Sequence, residues 1–388
     1  MMKKYQEKVV EDFREFLFKY MHHNSPKLAF FDITDKNYNQ VYGNIPFVCI
    51  KIPTGGGKTY VACNIIPHLY DIYLKDKLDK GIILWFVPSD AIKSQTIDKL
   101  KNNNDIHRKI FDEYFLNKVR IFSNEEALNI RKSDVDNNLC LIIASIESFR
   151  KEKSIQNKYK VYKENGSLLN FFENLNNENK LEKDESGIIN SLANVIRMNN
   201  PLVIIDEGHR AKTELSEEVV KDLNPSFIVE FTATPRLGSN ILCEVSSLDL
   251  KQEKMVKIPI VLENVSQWEN AINRGVLKRN ELENLAKKEN EYIRPIVLLQ
   301  AQSDKGKDND ITVEKIKNFL LHESRIPEEQ IAIKTSKFDQ IHNINLFSKS
   351  CKIRYIITIN ALAEGWDCSF AYILISVANL GSKISVEQ

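Results

Sequence analysis

Continuous apolar runs, each about the length of one strand, alternate with amphipathic stretches along most of the chain. Ile45-Pro-Phe-Val-Cys-Ile50 is the first, followed by Gly81-Ile-Ile-Leu-Trp-Phe-Val-Pro88, Cys140-Leu-Ile-Ile-Ala-Ser145, Leu202-Val-Ile-Ile-Asp206 and Phe227-Ile-Val-Glu-Phe-Thr232. A run without polar alternation is how a strand covered on both faces reads. Helical patterns separate the runs. Lys4 to Tyr20 carries Val9, Phe13, Phe16 and Leu17 on one stripe, and Tyr60 to Tyr70 follows the first run. Strand, helix and strand in alternation predict parallel β-α-β units and an α/β doubly wound sheet.

A second series of the same kind follows. Arg294-Pro-Ile-Val-Leu-Leu-Gln-Ala301, Ile331-Ala-Ile-Lys334, Ile353 to Ile359 and Ala371 to Val377 read as strands, with an amphipathic helix from Ile311 to Leu321. At 388 residues two domains are expected. We place them at 1–245 and 246–388. Between about 150 and 199 the composition shifts to Lys, Asn, Glu and Ser, which reads as a solvated insertion with one short packed helix around Leu168 to Leu175.

Composition narrows the function classes. With 54 basic and 53 acidic residues the net charge is +1, so a polyanion would have to find a local basic surface. The six cysteines are scattered without a C-x-x-C pair, which disfavours a disulfide scaffold or zinc site and fits a cytoplasmic protein. The charged N-terminal stretch is unlike a signal peptide, and no apolar run nears the roughly 18 residues of a membrane span. No membrane partner is expected.

Candidate chemistry centres on Lys51-Ile-Pro-Thr-Gly-Gly-Gly-Lys-Thr59, set between a strand and a helix. That context is the one a phosphate-binding loop requires. Thr54, Gly55, Gly56 and Gly57 would bring backbone N–H groups to an anion, and Lys58 would reach the β- and γ-phosphates of ATP. The Thr59 hydroxyl would ligate Mg²⁺. One departure is Ile52, where the general pattern has glycine. The second signal is Asp206-Glu207 at the end of a buried-type strand, the edge at which parallel sheets bind ligands. Asp206 would hold the magnesium, and Glu207 would orient and deprotonate the attacking water. This requires the loop near residue 58 and the acids near residue 206 to converge on one magnesium ion, with no other strand wedged between them.

Gly-Gly-Gly-Lys-Thr59, Asp206-Glu-Gly-His209 and Phe231-Thr-Ala-Thr-Pro235 together resemble motifs I, II and III of superfamily 2 helicases and translocases. Leu84 to Thr96 resembles motif Ia, Ile142 to Phe149 a later strand-contacting motif, and Ile359 to Cys368 motif V. The combination is similar to the Res subunit of type III restriction endonucleases. The resemblance implies two RecA-like domains clamping ATP, and an ATP-dependent motor that moves on nucleic acid, read as double-stranded DNA, beside a companion methyltransferase or another restriction or defence subunit. It assigns Gln6 to the adenine, unless it is an ordinary surface glutamine. His209 would couple the hydrolytic site to Thr232 and Thr234, or else cap a helix. Gly365 and Asp367 would face the nucleotide from the second domain, with Trp366 either core or stacking surface. Ser89, Gln95, Thr96 and Ser145 would touch a nucleic-acid backbone, each with a local cap as its other reading.

In that family an arginine-bearing motif VI follows motif V, and here the sequence reaches Gln388 where its glutamine would stand. The expectation is therefore a second domain incomplete at its C-terminus, no nuclease within these residues, and weak nucleic-acid-stimulated ATPase. A hydrolysis-deficient module that binds nucleotide and nucleic acid or a partner is the alternative.

Overall fold

The computed structural model describes residues 2–75, 80–152, 157–173, 180–207, 214–255, 261–303, 310–335, 337–341, 344–359 and 368–377. His209, Gly365, Trp366 and Asp367 lie outside them. The chain divides into two compact units, Met1–Lys257 and Ile258–Gln388.

Among the described residues the first unit is built on seven parallel strands: β1 (Phe47–Lys51), β2 (Gly81–Val87), β3 (Val119–Ser123), β4 (Leu139–Ser145), β5 (Leu202–Asp206), β6 (Phe227–Thr232) and β7 (Ile241–Glu244). Their order across the sheet is β3-β4-β2-β5-β6-β1-β7. The period of two divides each apolar run between two cores. Ile83, Trp85 and Val87 enter one core and Ile82, Leu84 and Phe86 the other. Likewise Val48 and Ile50 oppose Phe47 and Cys49. Unbroken apolar sequence is thus the mark of a sheet buried on both sides, and the doubly wound expectation holds. Helix α1 (Lys4–His23) covers the first face with Phe13, Phe16 and Leu17, all fully buried.

Three sequence expectations change here. The 150–199 stretch is not mainly solvated where it is described. The short packed helix expected around Leu168 is present, as a turn over Gly166–Phe171 with Leu168 and Phe171 buried, but Val161 and Tyr162 also enter the second core, and helix α2 (Leu192–Met198) is buried along nearly its whole length. Its polar residues serve each other. Arg197, 2% exposed, bonds Asp222 at 2.8 Å, while Lys151 bridges Glu182 at 2.7 Å and Asp222 at 2.5 Å. Composition registers the charges and misses that they are paired. Secondly, Leu250, placed by sequence in the second domain, packs in the first unit's core. Thirdly, β6 lies between β5 and β1, so a strand does separate the glycine loop from the acid pair.

Two histidines in this unit are expected to make its stability depend on pH. Burial is the largest influence on both His68 and His107 and holds each below the ordinary value of 6.5. Arg14 adds to this at His68 against Asp71 and Glu11, and Asp105 opposes it at His107. Unfolded histidines take protons near 6.5, the folded ones only at lower pH. The unfolded state therefore binds more protons in that window, and stability is lost as pH falls through it. Urea midpoints should drop between about pH 7.5 and about pH 5.5. A level or rising midpoint would contradict the assignment.

Among the described residues the second unit holds four parallel strands, β8 (Ile296–Gln300), β9 (Ile331–Lys334), β10 (Tyr355–Thr358) and β11 (Ala371–Ser376), in the order β9-β10-β8-β11. The 21-residue helix α3 (Trp268–Lys288), which the sequence reading did not register, packs on it. Its Gly275 allows the close approach, since a Cβ there would stand 2.5 Å from Ile375 Cδ1.

Candidate active site

The glycine loop runs from the end of β1 into a helix, Lys58–His68. Ile52, the departure from the general pattern, is fully buried in the core, and its N–H donates to the Thr232 carbonyl at 3.1 Å. It anchors the loop's entry instead of lining it. Gly55 and Gly57 sit at φ +81° and +79°, a region that favours glycine. Gly57 caps the helix without any side-chain acceptor. The first-turn N–H groups have no partner within a helix, so with the helix dipole they form a seat for an anion.

Asp206 ends β5, and Glu207 follows at φ +53° with its N–H donating to the Phe231 carbonyl at 2.8 Å. In register Asp206 stands beside Phe231, and Lys51 beside Thr232, so the three strands reach the same edge together. Two interstrand steps are about 10 Å. The loop and the Lys58 side chain span that distance, and the Lys58 ammonium forms an ion pair with Glu207, both side chains being 10% exposed. Lys58 and Glu207 thus meet across the intervening strand. β6 itself supplies part of the site: Thr232 is buried between the two motifs, and the Thr234 N–H donates to its hydroxyl at 3.1 Å.

Gln6 is also brought to the loop. Its Oε1 accepts from the Lys3 N–H at 2.9 Å, and its Nε2 donates to the Gly56 carbonyl at 3.3 Å. The neighbouring Tyr5 hydroxyl donates to the same carbonyl at 2.8 Å. Tyr5 went unnoticed in the sequence, where an aromatic on a buried helical stripe reads as core.

A cavity of about 400 Å³ opens at the ends of β2, β4 and β5. It brings Ser89 and Ser145 together with Asp206 and Glu207. Arg150 and Tyr159, which the sequence reading did not single out, line it too. Asp90 and Glu147 complete a lining of four carboxylates against one guanidinium, a poor floor for a phosphate. Ser89 caps the helix Asp90–Lys101, its hydroxyl accepting from the Ile92 N–H at 3.4 Å. Thr96 is 4% exposed, and neither it nor Gln95 lines the cavity. Among the described residues no group of three or more His, Cys, Asp or Glu is arranged to hold a metal. A threonine hydroxyl and one carboxylate, completed by phosphate oxygens and water, are nonetheless the donor set magnesium takes. Among the described residues no helix is long and apolar enough to cross a membrane.

The family described as type III restriction enzyme, res subunit, matches residues 1–237. No curated protein matches the chain. Among solved structures the chain is similar to the UvsW helicase from bacteriophage T4, at 13% identity and a TM-score of 0.27, over 55% of this chain and 52% of that one. It is similar to the helicase Lhr of Mycobacterium smegmatis, bound to ssDNA and AMP-PNP, at 14% identity and a TM-score of 0.44, over 93% and 43%. It is also similar to the ATP-dependent type ISP restriction-modification enzyme LlaBIII, bound to DNA, at 11% identity and a TM-score of 0.43, over 97% and 25%. The chain therefore spans about half the length of the first two and a quarter of the third. The matched residues 1–237 include Gln6, the glycine loop, the acid pair and the Thr232–Thr234 turn, and they make up more than half of the chain, which belongs to the family of type III restriction enzyme res subunits.

Proposed function

We propose that the chain binds ATP with Mg²⁺ at the glycine loop and that hydrolysis there drives movement on DNA, read as double-stranded. The observation that carries this is the meeting of Lys58 and Glu207 at one sheet edge, beside a helix N-terminus shaped for an anion. Lys58 would leave Glu207 for the phosphates of the nucleotide, freeing the carboxylate to accept a proton from the attacking water. Thr59 and Asp206 would hold the magnesium, whose contribution is to neutralise charge on the phosphate oxygens. Thr232 and Thr234, between the two motifs, would carry the state of the nucleotide towards the rest of the motor, with His209, Gly365 and Asp367 in the roles the resemblance gives them. Ser89, Ser145, Gln95 and Thr96 are carried as candidate backbone contacts, with the four carboxylates beside Ser89 and Ser145 and the burial of Thr96 counting against them. A cytoplasmic location and a companion methyltransferase in a defence system belong to the same reading.

Lys58→Ala tests it. A hydrogen bond to a charged group is worth about 1.5–3 kcal/mol, so ATP affinity should fall by about 10- to 150-fold in isothermal titration. Unchanged affinity in a folded variant would remove the loop from nucleotide binding.

A further inference from the structure

The helix Glu214–Asp222, the next described element after the acid pair, is held by charged side chains near both of its ends. Near its start Glu217 forms an ion pair with Arg236, which directly follows Pro235 in the turn that carries Thr232 and Thr234. The two side chains are only 21% and 24% exposed, and the Arg236 guanidinium lies 5.9 Å from the centre of the buried Tyr42 ring. At the other end Arg197 takes two acceptors. Its Nε donates to the Asp222 carbonyl at 2.7 Å and its Nη2 to the Asp222 carboxylate at 2.8 Å, so it satisfies a last-turn carbonyl that the helix leaves open. Lys151 holds the same carboxylate at 2.5 Å. A carboxylate at a helix C-terminus opposes the macrodipole, so Asp222 owes its place to these cations. Lys151 in turn follows Arg150, which lines the cavity together with Ser145. Between its two ends the helix buries Val219 and Val220 in the second core and packs on the turn Ile146–Phe149.

We propose that the helix Glu214–Asp222 is a strut: the Arg236–Glu217 pair takes up the position of the Thr232–Thr234 turn, and the Asp222–Lys151 pair passes it to the stretch Ser145–Lys151 at the cavity. Arg236, Glu217, Asp222 and Lys151 are positioning residues. This rests on the reading of Thr232 and Thr234 as carriers of the nucleotide's state, and it adds the route by which that state reaches the edge where nucleic acid is read to bind. Glu217 and Asp222 lie between one and two turns apart, about 7–8 Å along the axis. A helix seated on a core moves as one body, so a shift at one pair appears at the other. The far end of the strut meets the cavity beside Arg150, the guanidinium of an otherwise acidic lining.

The experiment measures linkage on the full chain. Affinity for a short labelled DNA duplex is read by fluorescence anisotropy with and without a non-hydrolysable ATP analogue and Mg²⁺, in wild type, Glu217→Gln and Lys151→Met. The ratio of the two affinities is the coupling between the sites, and a direct contact of either side chain with DNA cancels from it. We expect nucleotide to change the DNA affinity of wild type by at least about fivefold, and the change to shrink below about twofold in either variant. Affinity for the analogue without DNA should stay within about threefold of wild type, and Glu217→Asp, which keeps the charge, should retain most of the ratio. The double variant should lose no more than either single one, since each breaks the same strut. Lys151 is 46% exposed, so Lys151→Met carries the test should Glu217→Gln fail to fold. A ratio unchanged in both variants would overturn the strut. So would loss in one folded variant alone, which would mean that coupling leaves the helix by another route, or a wild type that binds both ligands independently. A wild type that binds no nucleotide is a different result, which removes the nucleotide site and the strut with it.

Discussion

Glu207→Gln is expected to lower ATP turnover by about 10²- to 10⁴-fold while ATP binds as well as before or more tightly. The first half follows from general base catalysis: the amide has nearly the shape of the carboxylate and no capacity to take a proton. The second half follows from the ion pair. Lys58 is engaged with Glu207 at 10% exposure, so a nucleotide must displace a carboxylate before it gains the ammonium. A neutral acceptor holds a lysine about half as strongly as a charged one. Removing the charge also removes repulsion between Glu207 and the incoming phosphates. The gain in affinity should reach up to about tenfold. Single-turnover assays with titration calorimetry separate the two effects. Turnover equal to wild type would take Glu207 out of the chemistry. Parallel loss of binding and turnover would mean that the pair organises the site and does not compete with the ligand.

The parts of this site that were legible in the sequence are those fixed by local chemistry. Three glycines before Lys-Thr, and two acids at the end of an apolar run, each need only a few neighbouring residues to be recognised. The apolar runs also announced a sheet buried on both faces, because no single face of β2 or β4 is polar. Strand order was not legible. Nothing local in Phe227–Thr232 states that it pairs with both β1 and β5, and the requirement that no strand intervene was mistaken for that reason. Lys58 and Glu207 still meet, because a loop and a long side chain cover two interstrand steps. Ile52 shows the complementary case. It breaks the consensus, yet its side chain goes into the core, where the pattern of a loop has no say. The insertion misled through composition alone, since Arg197, Lys151, Glu182 and Asp222 look like solvated charges until they are seen paired. Tyr5 could be found only once α1 was laid against the loop.

Phe227→Ala should be the most destabilising single truncation at the face that α1 covers. Phe227 opens β6 and is fully buried. Its ring meets Phe13 and Phe16 of α1 edge-on at centroid distances of 6.3 Å each, and Tyr73 at 5.4 Å. Tyr73 stacks in turn on Tyr20 at 5.3 Å, so one strand residue fastens both the middle and the end of α1. Truncating a buried Phe to Ala costs about 3–5 kcal/mol through lost transfer energy and the cavity left behind. At about 2–4 °C per kcal/mol for a unit of this size, the melting midpoint should fall by roughly 6–20 °C. Phe227→Leu, which refills part of the volume, should recover a large share of that loss. The functional consequence runs along the helix, because α1 carries Tyr5 and Gln6 to Gly56. Nucleotide affinity should weaken in Phe227→Ala even at temperatures where the protein is folded. If stability falls and affinity holds, the contacts of Tyr5 and Gln6 with Gly56 are set by the loop and the first turn of α1 alone. If neither changes, the aromatic cluster does not fasten the helix, and the link from core packing to the site fails at its first step.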